Sequence, residues 1–318
     1  MNMLHPAKQN EAQCYDIVIP INKRNVNFVG RVIKHIRLNL LECENIYLIS
    51  KKTLFSKLGK SIDGKCVLID EDRMIPGLCY DSVHRYMIEA GCLDINRVGW
   101  YFQQLLKLGF ASTSYCKKYY LTWDSDTLPL SHLRFFENGK PLFTSKKEFH
   151  QPYFETLQRL VGLGKVVSHS FIAEHMMFHK DIVLELLSVI EHSEVKGKDW
   201  VEKIIQACDF STSTHCFSEF ETYGTFCMVY HPHLYGTQHL NTFRSAGLIR
   251  GRHINNFIIE RLAVDMDIAS FEIYDAIFPY DLEKRIHNLK SKIKRLKTTP
   301  FKEIVKMVRN KVKNQEKY

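Results

Sequence analysis

Asp124 and Asp126, separated by Ser125, directly follow an apolar run, residues 119–123, that reads as a buried strand. Two carboxylates at i and i+2 where a strand ends suit one divalent cation. Mg²⁺ and Mn²⁺ take oxygen ligands and are commonly shared between one or two carboxylates and the oxygens of a phosphate or diphosphate. The competing reading is a surface turn, because Asp and Ser are good turn formers.

Other residues suit related chemistry. Glu219 and Glu221 lie in an acidic segment, residues 217–224. If that segment is helical, the two side chains point about 200° apart, since each residue turns about 100°, and only one faces a common site. A carboxylate within hydrogen-bonding reach of a hydroxyl is a general base. Glu219 has the richer face, shared with His215, Cys216 and Tyr223; Glu221 shares its face with Phe217, Phe220 and Gly224. Glu174 and His175 form a polar pair in an apolar stretch, 171–178, and read either as ligand-binding groups or as an internal hydrogen-bonded pair. Arg244 and Arg250 suit phosphate oxygens, which guanidinium binds in bidentate fashion.

The elements that must position these groups alternate in type. Residues 15–20 read as a first strand and 22–25 as the polar loop at its end. A helix follows with Val29, Val32, Ile33, Ile36 and Leu40 on one face, then strands at 45–50 and 66–69, the latter running into Asp70, Glu71 and Asp72. Such alternation predicts an α/β fold with a mainly parallel sheet wrapped by helices. Ligands bind such sheets outside the carboxyl ends of the strands, the edge that would hold Asn22, Asp70 and Asp124. A helix over 97–109 carries a stripe of Trp100, Gln103, Gln104 and Lys107. That stripe points amides and an ammonium at a ligand or at the carboxylates, or is a solvated face. Asn138 and Gly139 between aromatic runs predict a hairpin. A helical region begins at 151 and breaks at 162–165, and Asp199 with Glu202 reads as a capping box.

The chain has 318 residues, with 45% hydrophobic and 25% charged, as in ordinary globular proteins. No apolar run reaches the length of about 18 residues that a spanning helix needs, and residues 1–13 contain no signal-type core, so a cytoplasmic location is expected. Nine cysteines without a Cys-x-x-Cys spacing predict reduced, buried thiols. The net charge of +9 belongs to residues 281–318, which hold thirteen Lys and Arg against four Asp and Glu. Residues 1–280, with 31 of each sign, are neutral, which argues against a nucleic-acid-binding domain. In this tail Leu282, Ile286, Leu289, Ile293 and Leu296 form an apolar stripe. A second helix starts at Pro300, with Phe301, Ile304, Val305, Val308 and Val312 on one face. Basic amphipathic helices lie on anionic membranes, so the tail is expected on a membrane surface, packed on the domain, or against a second copy in a homodimer.

The opening strand and loop, the helix with Gly99, Trp100, Gln103, Gln104 and Lys107, the Thr122-Trp123-Asp124-Ser125-Asp126-Thr127 run and the later acidic segment together resemble a GT-A-type nucleotide-sugar glycosyltransferase. More closely, they are similar to an incompletely characterised group of bacterial proteins linked to surface polysaccharides. The resemblance covers roughly residues 15–250 and implies a Rossmann-like GT-A fold over 1–280, followed by the helical tail of 281–318. It implies Mn²⁺ or Mg²⁺ on Asp124 and Asp126, a nucleotide-sugar near Asn22, Asp70, Gln104, Lys107 and Arg244, and a glycan or lipid-linked acceptor near Glu174 and His175. Glu219 or Glu221 would be the base. A third metal ligand would come from His231, His233 or His239, with His239 the choice adopted. The rival expectations are a sugar nucleotidyltransferase, which usually has a Gly-rich loop after its first strand where residues 19–24 have no glycine, and a non-catalytic binding or scaffold protein.

Overall fold

The computed structural model describes residues 13–62, 66–282 and 284–290. They fall into two compact units. One runs up to Arg244 and includes Asn256–Ser270; the other holds Ser245–Asn255 and the residues from Phe271 onward.

The larger unit opens with β1 (Tyr15–Pro20), α1 (Val29–Asn39), β2 (Cys43–Ser50), α2 (Phe55–Ser61) and β3 (Cys66–Asp70). There follow α3 (Tyr80–Glu89), α4 (Val98–Gly109), β4 (Tyr119–Trp123) and β5 (Thr127–Pro129). The hairpin β6 (Phe136–Glu137) and β7 (Lys140–Thr144) leads to α5 (Gln151–Val161), β8 (His175–His179) and α6 (Lys180–Glu191). Then come α7 (Trp200–Gln206), α8 (Glu219–Tyr230), β9 (Gly236–Gln238), β10 (Thr242–Phe243), α9 (Gly247–Arg250) of the smaller unit, α10 (Asn256–Leu262) and β11 (Ile268–Ser270).

The central sheet has the order β3-β2-β1-β4-β8. The first four strands run parallel and β8 pairs antiparallel with β4, so the expected α/β class with a mainly parallel sheet is the one observed. Every residue of β1 and β4 is buried, as strands covered on both faces must be. The one charged residue among them, Asp16, accepts hydrogen bonds from the backbone N–H and side chain of Asn45 at 3.1 and 2.8 Å. The stripe predicted for α1 is buried, with Val29, Val32, Ile33 and Ile36 facing inward. β1 pairs with β2 on one side and β4 on the other, so the direction of strand order reverses there. At such a switch point the loops after the two strands part and leave a crevice. The register pairs Val18 with Thr122 and Pro20 with Ile49, which brings the ends of β1, β2 and β4 level.

Two three-stranded sheets, β10-β11-β5 and β6-β7-β9, flank the central one. The predicted turn joins β6 to β7, with Asn138 at φ 50° and Gly139 at φ 77°, the positive values a two-residue hairpin needs. Asp199 caps α7 as expected, accepting from the Glu202 N–H at 2.9 Å. The stretch 171–178 ends as strand β8, and His215 and Cys216 precede α8 and do not share a helical face with Glu219. In the smaller unit Ser245 bridges Phe271, and the Arg252 Nε donates to the Phe271 carbonyl at 3.0 Å. Of the predicted tail, 284–290 are helical; Ile293, Leu296 and the second helix from Pro300 lie outside the described residues.

Gly224 in α8 allows the close approach of Phe171, a fully buried ring: a Cβ at 224 would stand 2.4 Å from the ring. Gly224→Ala is expected to lower stability by about 1–3 kcal/mol, the usual cost of overpacking. Urea unfolding measures it; an unchanged midpoint would show that the ring can move aside.

Candidate functional site

The loop after β1 is ordered by its own polar groups. The Asn22 side chain accepts from the Arg24 N–H at 2.9 Å, and the Asn25 N–H donates to the Asn22 carbonyl at 3.0 Å. Asn25 then reaches across the switch point, donating from Nδ2 to Ser125 Oγ at 2.5 Å and to Asp126 Oδ2 at 3.4 Å. On the β4 side, residues 124–127 form a turn closed by the Thr127 N–H on the Asp124 carbonyl, with the Trp123 indole donating to the Thr127 carbonyl at 2.9 Å. The two acids thus sit in a turn at a strand end, so the two readings of that motif describe one object.

Lys107 is the centre of this edge. Only 3% of its side chain is exposed, and its Nζ donates at 2.9 Å to both Asp124 Oδ1 and Glu219 Oε1. Burial alone favours the neutral amine, but the carboxylates of Asp124 and Glu219 outweigh it and hold the ammonium above its usual pKa. Gln104, one turn earlier on α4, accepts from the Glu219 N–H at 3.1 Å and donates to the Trp100 carbonyl at 3.3 Å. Its amide anchors the first turn of α8 and is buried away from the cleft. The polar stripe of α4 is therefore divided: Gln104 and Lys107 are internal, aimed at helix terminus and carboxylate, while Gln103 faces a cleft.

Lys107 answers part of the negative charge that Asp124, Asp126 and Glu219 bring to this edge, and burial raises the Glu219 pKa against the pull of Lys107. The Asp124 side chain is 31% exposed, within reach of a ligand. This donor set fits a divalent cation held by two carboxylates and completed by ligand and water oxygens. It does not make a closed cage. Among the described residues no three His, Cys, Asp or Glu side chains gather as a metal-holding group, and His239 lies elsewhere.

Beside the switch point is a cleft of about 220 Å³, lined by Asn22, Lys51, Glu71, Tyr80, Phe102 and Gln103 among others. Asp70, the acid singled out from sequence, is absent from its lining; it pairs with Arg73 at 3.8 Å and accepts from the Asp72 N–H. Its neighbour Glu71 faces the cleft instead. Burial, aided by Asp72 and opposed by Lys51, pushes the Glu71 carboxyl up to about 7. Parity along β3 gives no signal for this, since Val67 on the side of Ile69 is exposed; Glu71 lies in the turn that follows the strand.

The remaining candidates go to other places. Glu221 accepts from Ser170 Oγ and from the Phe171 N–H, which spends it on the loop before β8. Glu174 lends its backbone carbonyl to the Asp124 N–H at 2.9 Å. Its carboxylate, 3.0 Å from Arg244 Nε, is buried and lacks an aligned hydrogen bond, and burial raises its pKa against the pull of Arg244 and Lys146. Arg244 also pairs with Glu148. Arg250 belongs to the smaller unit, over the Tyr280 ring. A larger cavity of about 770 Å³ contains Lys146, Lys147, His169, His239, Thr242 and Asp265. His175 opens into neither cavity: it stacks on Trp123 at 5.1 Å and shares a hydrogen bond of 2.8 Å between Nε2 and Thr144 Oγ1.

Burial lowers the His175 pKa to about 3. Between that value and the unfolded value near 6.5 the unfolded chain binds the extra proton, so this group's contribution to stability is full above about pH 6.5 and is lost as pH falls toward 3. His175→Asn is expected to flatten the fall in stability between pH 7 and pH 4.5 relative to wild type. Parallel urea titrations of both proteins would test this, and parallel curves would place His175 in a solvated, titrating state.

No curated protein matches this chain. Among solved structures it is similar to the galactosyltransferase LgtC in complex with donor and acceptor sugar analogues, at 10% identity and a TM-score of 0.41 over 90% of this chain and 98% of that one. It is similar also to mouse xyloside xylosyltransferase 1 in its apo form, at 13% identity and a TM-score of 0.45 over 84% and 100%. Likenesses this distant carry no weight on activity. The profile of a family described as of unknown function, DUF6492, matches residues 10–247. With that much of its length matched, the chain belongs to the DUF6492 family.

Proposed function

We propose that this protein is a GT-A-type glycosyltransferase that moves a sugar from a nucleotide-sugar to a glycan or lipid-linked acceptor. One observation carries the reading: the loop after β1 lines a nucleoside-sized cleft with Asn22 and then holds Asp126 through Asn25. A nucleoside in the cleft would thus direct its diphosphate toward two carboxylates at the switch point of a parallel sheet. Mn²⁺ or Mg²⁺ on Asp124 and Asp126 would offset the charge of that leaving group. Lys107 fixes the orientation of Asp124 and opposes the burial that raises the Glu219 pKa beside it. Glu219 is the proposed base; Glu221 has one oxygen engaged by Ser170 and the Phe171 N–H. The larger cavity, next to the Arg244 and Glu174 pair, is the proposed acceptor side. A role in bacterial surface polysaccharide synthesis rests on the sequence resemblance alone.

A panel of variants tests the reading. Asp126→Ala is expected to abolish Mn²⁺-dependent binding of a nucleoside diphosphate, measured by calorimetry, with the fold intact by circular dichroism. Unchanged affinity would remove the metal from this site. Glu219→Gln is expected to cut turnover by about 10²-fold or more while sparing donor binding, at a cost in stability because Lys107 loses a charged partner, whereas Glu221→Gln lowers stability alone. Normal turnover by Glu219→Gln would dismiss it as the base.

The basic tail is proposed to hold the protein on the inner face of the cytoplasmic membrane. Leu282, Ile286 and Leu289 of its stripe are exposed, and the thirteen cationic residues of 281–318 supply attraction to anionic lipid. The full chain is expected to co-sediment with anionic vesicles and not with neutral ones, and to be released as salt rises. Salt-independent binding would count against it.

A further inference from the structure

We infer that Glu71 reads the nucleobase of the donor and selects guanine. The inference rests on the reading that the cleft beside β1 takes a nucleoside diphosphate, and it names the nucleoside. Glu71 is 92% buried, by its exposure of 8%, yet lines an open cleft. Its backbone N–H is used, donating to the Ser50 carbonyl at 3.0 Å, which fixes where the side chain leaves the strand end. No hydrogen bond from the described residues reaches its carboxylate, and no ion pair joins it. Its oxygens are not enclosed and meet the open cleft, so a ligand that displaces water there must supply hydrogen-bond donors in its place.

The pattern of that partner follows from the group. An ionised carboxylate only accepts, and its two oxygens are spaced for two parallel N–H donors. Guanine has two such donors side by side, N1–H and the N2 amino group. Uracil has one N–H between two carbonyl oxygens, which would face the second carboxylate oxygen. Adenine and cytosine each place one donor beside an unprotonated ring nitrogen, again an acceptor against an acceptor. The rest of the cleft agrees: Tyr80 and Phe102, edge to face at 6.1 Å, offer apolar ring surface for a base, and Lys51, whose Nζ lies 4.9 Å over the Tyr80 ring, offers a donor for O6. A site whose buried acceptor demands two donors rejects bases that lack them by far more than an apolar slot would.

Calorimetry at pH 8 with Mn²⁺ would compare guanosine, inosine, uridine, adenosine and cytidine diphosphates on the full chain. Guanosine diphosphate is expected to bind at least about tenfold more tightly than the uridine, adenosine or cytidine compounds, with inosine diphosphate, which lacks the N2 amino group, in between. Glu71→Gln is expected to remove most of that preference, weakening guanosine diphosphate about tenfold and leaving uridine diphosphate within about twofold. If that variant does not fold, the wild-type series decides alone. Uridine, adenosine or cytidine diphosphate binding as tightly as the guanosine compound would overturn the inference and leave the nucleotide reading standing. Failure of all five to bind would overturn both.

Discussion

A single buried ammonium sets the geometry at the carboxyl ends of β1 and β4. Moving an ion out of water costs several kcal/mol even after relaxation, so Lys107 holds its proton only because Asp124 and Glu219 meet it at 2.9 Å. That requirement ties the last turn of α4 to the end of β4, 17 residues on, and to the first turn of α8, 112 residues on. Removing one partner from such a group typically costs about 3–5 kcal/mol, because a charge is left uncompensated. Gln104 adds a neutral tie between the same two helices, so α8 is anchored twice. The turn bearing Asp124 is held from below by charge and from the side by Asn25.

Four carboxylates near this edge share one chemistry and differ in what surrounds them. Asp124 is shared between a buried cation and solvent. Glu219 is enclosed with that cation, Glu221 is consumed by backbone and hydroxyl donors, and Glu174 is buried opposite a guanidinium with its oxygens out of line. Only Asp124 combines a fixed orientation with exposure, which makes it the member of the set best placed to meet an incoming cation or phosphate.

Much of the scaffold was legible in the chain. The strands at 15–20, 66–70 and 119–123, the helices starting at 29 and 98 and the turn at 138–139 follow from apolar periodicity and local turn chemistry, which act over a few residues. The site was harder, since its contacts join residues about a hundred apart. Periodicity put Lys107 and Gln104 on one stripe but could not say whether that stripe met solvent, ligand or protein; α8 settles it by packing there. Asp70 and Glu71 are both acids, and only the turn that starts after β3 separates their surroundings. His239 was chosen from three histidines by chain position, and position along the chain does not predict which cavity a loop residue reaches. The central sheet was expected to be mainly parallel, yet the reversal of β8 had no local signal, because an apolar run has the same look in either direction.

That reversal has a consequence for how such a molecule can change over evolutionary time. A parallel strand brings its last residues to this edge, whereas β8 brings its first, and so Glu174 stands beside Asp124 with the whole stretch from β5 to α5 arriving just ahead of it. Insertions or exchanges in that stretch need not pass under the sheet or alter the pairing of β1 to β4. The architecture therefore divides into a half where strand register and the cleft beside β1 are set together, and a half whose connections can be rebuilt without disturbing them. Diversification among chains built this way is expected to concentrate between residues 130 and 174.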